Sequence, residues 1–250
     1  MLGIEEIPKD FDFAEIYIEP PAGMPEVLAK NTSHLKDLMK KRNIFGIAHF
    51  PYWAEFGASY SNIRQAWVDV AKSAMQCCHN LEIHRLTFHL NFQGMVLERD
   101  EPRQRAIRCA VDSVRHLVTF GRKLSVELIL EIPEVNKHFS ASDYLLLIEQ
   151  LPGISVAVDV GHAFLSGGME LVREFLLSSG SDCRHIHIHD NEGTGDDHLE
   201  LGRGKLDVRA VAQTLREIGF DNTITFEVFH PDRFAIQRSL KLFKETWSNA

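Results

Sequence analysis

Between His185 and Gly204 the chain reads HIHIHDNEGTGDDHLELGRG, which gathers His187, His189, Asp190, Asp196 and His198 into a polar, glycine-punctuated stretch. Imidazoles and carboxylates at this density point to metal chemistry, because both are ligands for divalent cations. Other strand-like runs also end on such groups: LTFHLN on His89, LILEIP on Glu131, VAVDVGHAF on Asp159 and His162, TFEVFHP on Glu227, and GIAHFPY on His49. Chemistry converges from many strand ends.

Three clusters follow from the residue types. Glu131, Asp159, His187 and Glu227 combine three carboxylates with one imidazole, a mostly oxygen set suited to manganese, magnesium or zinc. Unaccompanied, those carboxylates would repel one another, and a divalent cation relieves the repulsion more simply than three raised pKa values. His49 and His89, bridged by Glu131, form a nitrogen-rich pair that suits zinc. His162, Asp196 and His198 make a third cluster, provided the loop after His187 folds back over the site. His34, His79, His84, His116 and His138 lack a neighbouring carboxylate constellation and read as surface or capping residues, and His185 as an interior one.

The elements that would position these groups are strands near 14–19, 45–50, 85–90, 125–132, 155–160, 185–190 and 223–229. Helical periodicity follows each, near 25–43, 61–80, 101–122, 140–151, 169–179, 207–219 and 233–247. Strand–helix units with functional groups at the C-terminal strand ends describe an α/β fold of the TIM-type (β/α) barrel class. About seven complete units are visible. Residues 1–12 are too few for another strand and crossover, so the first β/α unit looks truncated unless residues 2–7 add a stub. An open edge would favour cover or a homodimer contact. The 250 residues suit one domain spanning 1–250. Alternation places Ile129, Ala157, Thr87 and Thr225 beneath the strand-end groups, with Arg85, Glu127, Glu15 and Ser155 deeper, where buried charges must pair.

Composition sets further bounds. With 44% hydrophobic residues, 25% charged residues and a net charge of -8, the chain resembles an ordinary soluble enzyme, and the acidic balance weighs against a broad phosphate-binding face. No run approaches the roughly 20 apolar residues of a membrane span, and MLGIEEIPKDFD lacks a basic and apolar leader, so a cytoplasmic location without membrane association is expected. Cys77, Cys78, Cys109 and Cys183 show no metal-ligand spacing and read as thiols.

Taken together, DVGHAF, HIHD and DDHLELGRG resemble the xylose isomerase-like barrel superfamily, which holds sugar isomerases and epimerases and the endonuclease IV branch of abasic-site nucleases. HFPY and FEVF add weaker matches, and the resemblance runs from about residue 13 to the C-terminus. In the nuclease branch nine side chains hold three zinc ions, which implies His49, His89, Glu131, Asp159, His162, His187, Asp196, His198 and Glu227 here. In the epimerase branch one ion sits on the residues corresponding to Glu131, Asp159, His187 and Glu227, and the two glutamates exchange protons with substrate carbon. All nine residue types match. The nuclease branch, however, has Pro-Gly after its third-strand His and Asn-Thr after its fourth-strand Glu, where this chain reads HLNFQG and EIPEVN, and its DNA-reading loops are unmatched.

The resemblance therefore implies a divalent-metal-dependent isomerase or epimerase of a small sugar or sugar phosphate, working through a metal-stabilised enediolate with Glu131 and Glu227 as acid and base. Zinc or manganese, one to three ions, is the expected cofactor. Tyr52, Trp53, His162, His198 and Arg203 are the expected substrate contacts. The alternative is an endonuclease IV-like zinc-dependent phosphodiesterase acting on abasic-site DNA, which Tyr52 and Trp53 beside the first His keep open. A metal-binding barrel without activity is the third class.

Overall fold

The computed structural model describes residues 3–92, 96, 98–133 and 139–250. His138 and the ends of the HLNFQG and EIPEVN runs lie outside them. The elements in chain order are β1 (Phe13–Tyr17), α1 (Pro25–Lys30), α2 (Thr32–Arg42), β2 (Phe45–His49), α3 (Ser61–Asn80), β3 (Arg85–Phe88), α4 (Asp100–Leu124), β4 (Glu127–Ile132), α5 (Ala141–Glu149), β5 (Ser155–Asp159), α6 (Val160–Ser179), β6 (Cys183–Ile188), α7 (Val208–Glu217), β7 (Thr223–Phe226) and α8 (Ala235–Ser248). The strands form a seven-stranded sheet in chain order, so the seven repeated units predicted from periodicity are present. Residues 4–6 form a 3-10 turn rather than a strand stub.

The chain divides into two compact units. In residues 2–130 with 146–154, β1 pairs with β2, β2 with β3, and β3 with β4, all parallel. The core here is Ile47, Leu86, Phe88, Leu128, Ile129 and Leu130, joined by Phe50 and Phe56 from the loop after β2. Arg85 and Glu127 do pair, at 3.6 Å, but their side chains are 27% and 39% exposed. They are not the buried charges expected, because the strand starts open to water there.

In residues 131–145 with 155–250, β5 pairs with β6 and β6 with β7, again parallel. Every residue of β5 is buried, which is why SVAVD reads as a continuous run rather than an alternation. Asp207 caps α7 by accepting from Ala210 N–H at 3.0 Å. Val208, Val211, Ala212 and Leu215 then recur three and four apart and bury one face of that helix.

Two helix boundaries differ from the periodicity. The 25–43 pattern is split at Asn31 into α1 and α2. The 169–179 pattern begins earlier, at Val160, because the Asp159 carboxylate accepts from His162 N–H at 2.8 Å and nucleates a turn directly after β5. Non-helical Gly167 and Gly168 interrupt the resulting helix. The four cysteines are free thiols, and burial pushes Cys78 and Cys183 up to about 12, well away from reactive thiolates. Among the described residues no helix is long and apolar enough to cross a membrane.

Candidate metal centre

The parallel register of β5, β6 and β7 sets the site. Asp159 lies opposite His187, and His187 opposite Thr225. Glu227, two residues beyond Thr225, points to the same face by strand alternation, and its N–H bonds Ile188 O at 3.1 Å. Glu131, at the end of β4, completes the group. His187 Nδ1 lies 3.0 Å from Glu131 Oε1 and 3.3 Å from Glu227 Oε1. Asp159, His187 and Glu227 bring ligand atoms within 4.8 Å of one another, as do Glu131, Asp159 and His162. All four members of the oxygen-rich cluster are buried.

The fit to a cation can be judged from Asp159. One oxygen, Oδ1, caps α6, whereas buried Oδ2 makes no hydrogen bond. Burial lifts this carboxyl above the usual range, the imidazoles of His162 and His189 oppose the shift, and Glu131 and Glu227 reinforce it. Three buried carboxylates around one imidazole are costly without a compensating charge, and oxygen donors at this spacing suit a hard divalent ion. Glu131, Asp159, His187 and Glu227 fit the group.

A second cluster lies beside it. His162, His189, Asp196 and His198 bring ligand atoms within 4.8 Å of one another. Asp196 Oδ1 is 3.2 Å from His198 Nε2 and 3.4 Å from His162 Nε2. These two imidazoles hold the Asp196 carboxyl well below the usual range. Burial opposes charge on His162, yet Asp159, Asp196 and Glu131 outweigh it and push the imidazole up to about 10. His198 is also raised against burial, by Asp196 and Glu227, whereas burial dominates at His189 and lowers it.

The loop that brings Asp196 and His198 here is built around Asp190. Its fully buried carboxylate accepts N–H bonds from Asn191 (2.9 Å), Gly202 (2.8 Å), Gly204 (2.9 Å) and Leu206 (2.9 Å). Although metal-competent by type, Asp190 therefore serves the backbone. The two-way bond between Asp190 and Leu199 closes the loop, and Arg238 grips Glu200 through two bonds of 2.7 and 2.6 Å. His198 adopts a left-handed φ of 45°, and its ring lies between His189 (3.9 Å) and Phe229 (4.1 Å) in a stack.

Among the expected ligands, Glu131, Asp159, His162, His187, Asp196, His198 and Glu227 come together in this unit. His162 enters from the first turn of α6. His49 and His89 belong to the other unit, where their Nε2 atoms lie 3.1 Å apart and Tyr17 stacks on His49 at 4.9 Å. Tyr52 and Trp53 are in that unit too, exposed and edge to face at 5.1 Å. Arg203 is exposed on a turn, its N–H on Glu200 O at 3.0 Å. The nine-ligand set omitted His189, which the HIHIH alternation places on the same strand face as His185 and His187. His185 is structural, as expected, bonding Thr223 at 2.7 Å and Thr225 at 3.1 Å.

Comparison with known proteins bears on the fold. An uncharacterised protein of Methanocaldococcus jannaschii is 24% identical over 229 residues, covering 87% of this chain and 75% of that protein. Fructoselysine 3-epimerase of Escherichia coli O157:H7 is 27% identical over 122 residues, 47% of this chain and 44% of the enzyme. The crystal structure of a D-tagatose 3-epimerase-like protein superposes with a TM-score of 0.80 at 19% identity, covering 96% of this chain and 89% of that one. A family model described as the xylose isomerase-like TIM barrel matches residues 9–246. The chain belongs to the xylose isomerase-like TIM barrel family.

Proposed function

We propose that this protein is a divalent-metal-dependent sugar isomerase or epimerase whose acid/base pair is Glu131 and Glu227. The observation that carries the proposal is the placement of both carboxylates on His187 Nδ1, at 3.0 and 3.3 Å, beside buried Asp159. The relative named fructoselysine 3-epimerase supports the same class.

Glu131, Asp159, His187 and Glu227 would hold the ion. When bound, it would supply positive charge against the oxyanion that develops as a ketose loses a proton next to its carbonyl. One glutamate removes that proton, and the electron pair moves onto the carbonyl oxygen. The other glutamate, protonated at the outset, gives its proton to the opposite face for epimerisation, so the two exchange protonation states. His187 Nδ1 lies between the two carboxylates, where it would share the ion with them. Arg203 offers a cation for the oxygens of a sugar.

The test is to incubate the purified chain with free and phosphorylated ketoses, with and without chelator, and to separate the products by chromatography. Interconversion of epimers or isomers that chelation stops supports the proposal, and no interconversion across the panel contradicts it. One observation favours a second reading, a zinc-dependent phosphodiesterase: the close His49–His89 pair supplies two more ligands of the nine-residue nuclease set. Incision of an abasic-site oligonucleotide tests it.

A further inference from the structure

We propose that a cleft at the start of β3 and β4 binds a small phosphorylated polyol, with Arg122 taking the phosphate and Glu127 a hydroxyl. The cleft measures about 380 Å³ and is lined by His84, Val118, Arg122, Val126, Glu127 and Leu128, all within residues 2–130. That volume falls in the range of small-molecule sites. None of the residues lining it belongs to the candidate metal centre.

The cation in this cleft is placed and left open. Arg115 and Arg122 stand seven residues apart on α4 and so share a helix face. Arg115 donates twice to Gln150 O, at 3.2 and 2.8 Å. Arg122 has no hydrogen-bond or ion-pair partner for its side chain among the described residues. Its Nη2 instead packs on Gly153, where an added Cβ would fall 2.7 Å away and where a φ of 80° also favours glycine. A guanidinium laid against bare backbone with its donors free presents the planar fork that a phosphate fits.

The surrounding walls are fixed. His79 Nδ1 meets Leu124 O at 2.8 Å and His84 Nδ1 meets Ser125 O at 3.0 Å, so two imidazoles hold the end of α4. Ser125 is left-handed there, with a φ of 56°, and Val126 N–H returns to Gly121 O at 2.9 Å. A carbonyl only accepts, so Nδ1 of His84 carries a proton and Nε2 is left for a ligand oxygen, as a second donor once an anion holds the ring protonated. Glu127, 3.6 Å from Arg85 Nε, then selects among anions. Its charge repels a bare phosphate, whereas it accepts from the hydroxyl of a phosphate ester, whose carbons would rest on Val118.

The test is methyl NMR of the full chain titrated with glycerol 3-phosphate, which has no carbonyl and so cannot be a substrate of the proposed reaction. Saturable shifts should appear at the Val118, Val126 and Leu128 methyls. Arg122→Gln should weaken binding about tenfold or more, whereas Lys123→Gln, which removes the same charge one residue away, should change it by less than about twofold. Inorganic phosphate should bind about tenfold more weakly than the ester. No shift at those methyls, equal losses in the two variants, or equal affinity for phosphate and ester would overturn the proposal. Should Arg122→Gln fail to fold by circular dichroism, the wild-type shifts and the phosphate comparison decide.

Discussion

The two ligand clusters of residues 131–145 and 155–250 share a border at Asp159 and His162 but are built from opposite materials. Glu131, Asp159, His187 and Glu227 give three carboxylates and one imidazole, mounted at strand ends. His162, His189, Asp196 and His198 give three imidazoles and one carboxylate, and half of them ride on a loop. Strand ends are fixed by the sheet and present oxygen ligands that can also exchange protons, whereas the nitrogen-rich set depends on how the loop is held. The two sets can therefore be broken separately.

The largest effect should come from the oxygen-rich side. Glu131→Gln or Glu227→Gln keeps side-chain volume but removes the charge and the exchangeable proton, so turnover should fall by about 10²-fold or more while circular dichroism is unchanged. Full turnover in both variants would remove the acid/base assignment. Next comes the loop's foundation. Asp190→Ala strands the four N–H groups of Asn191, Gly202, Gly204 and Leu206, and should cost roughly 3–5 kcal/mol in urea unfolding.

A subtler substitution should separate the clusters. Gly161→Ala drives a methyl into buried His189, so it should displace that ring and destabilise the fold by roughly 1–3 kcal/mol, with the Glu131 cluster left in place. Urea unfolding of the purified variant checks this.

The smallest effect is a pH dependence. In the metal-free protein the folded pKa of His162 is raised to about 10 and that of His198 is raised too, against about 6.5 when unfolded. Their stabilisation is therefore full below about pH 6.5 and lost as pH rises towards 10. A cation must displace those same protons, so metal affinity should strengthen across this window, with proton release measurable in weakly buffered titrations.

How much of this was legible in the sequence follows the same division. Strand alternation and the C-terminal placement of polar groups identify Glu131, Asp159, His187 and Glu227 directly, because a parallel sheet turns one-dimensional spacing into one shared face. The seven units were legible for the same reason. The helical setting of His162 was not legible, since nothing in DVGHAF announces that Asp159 would cap a helix with the very carboxylate that also faces the site. The role of Asp190 was not legible either. Its partners at 202, 204 and 206 are backbone groups, which leave no mark in residue types. Arg85 and Glu127 were placed too deep, because alternation gives the face of a strand but not its distance from solvent.

The central claim is that Glu131 and Glu227 exchange protons with sugar carbon. Its most direct test is solvent deuterium incorporation, followed by proton NMR, when a ketose is incubated with the protein in heavy water. The account predicts deuterium at the carbon next to the carbonyl with wild type, and none with Glu131→Gln, Glu227→Gln or chelated protein. Epimerisation without deuterium entering that position, or incorporation that continues at the wild-type rate in both variants, would contradict it.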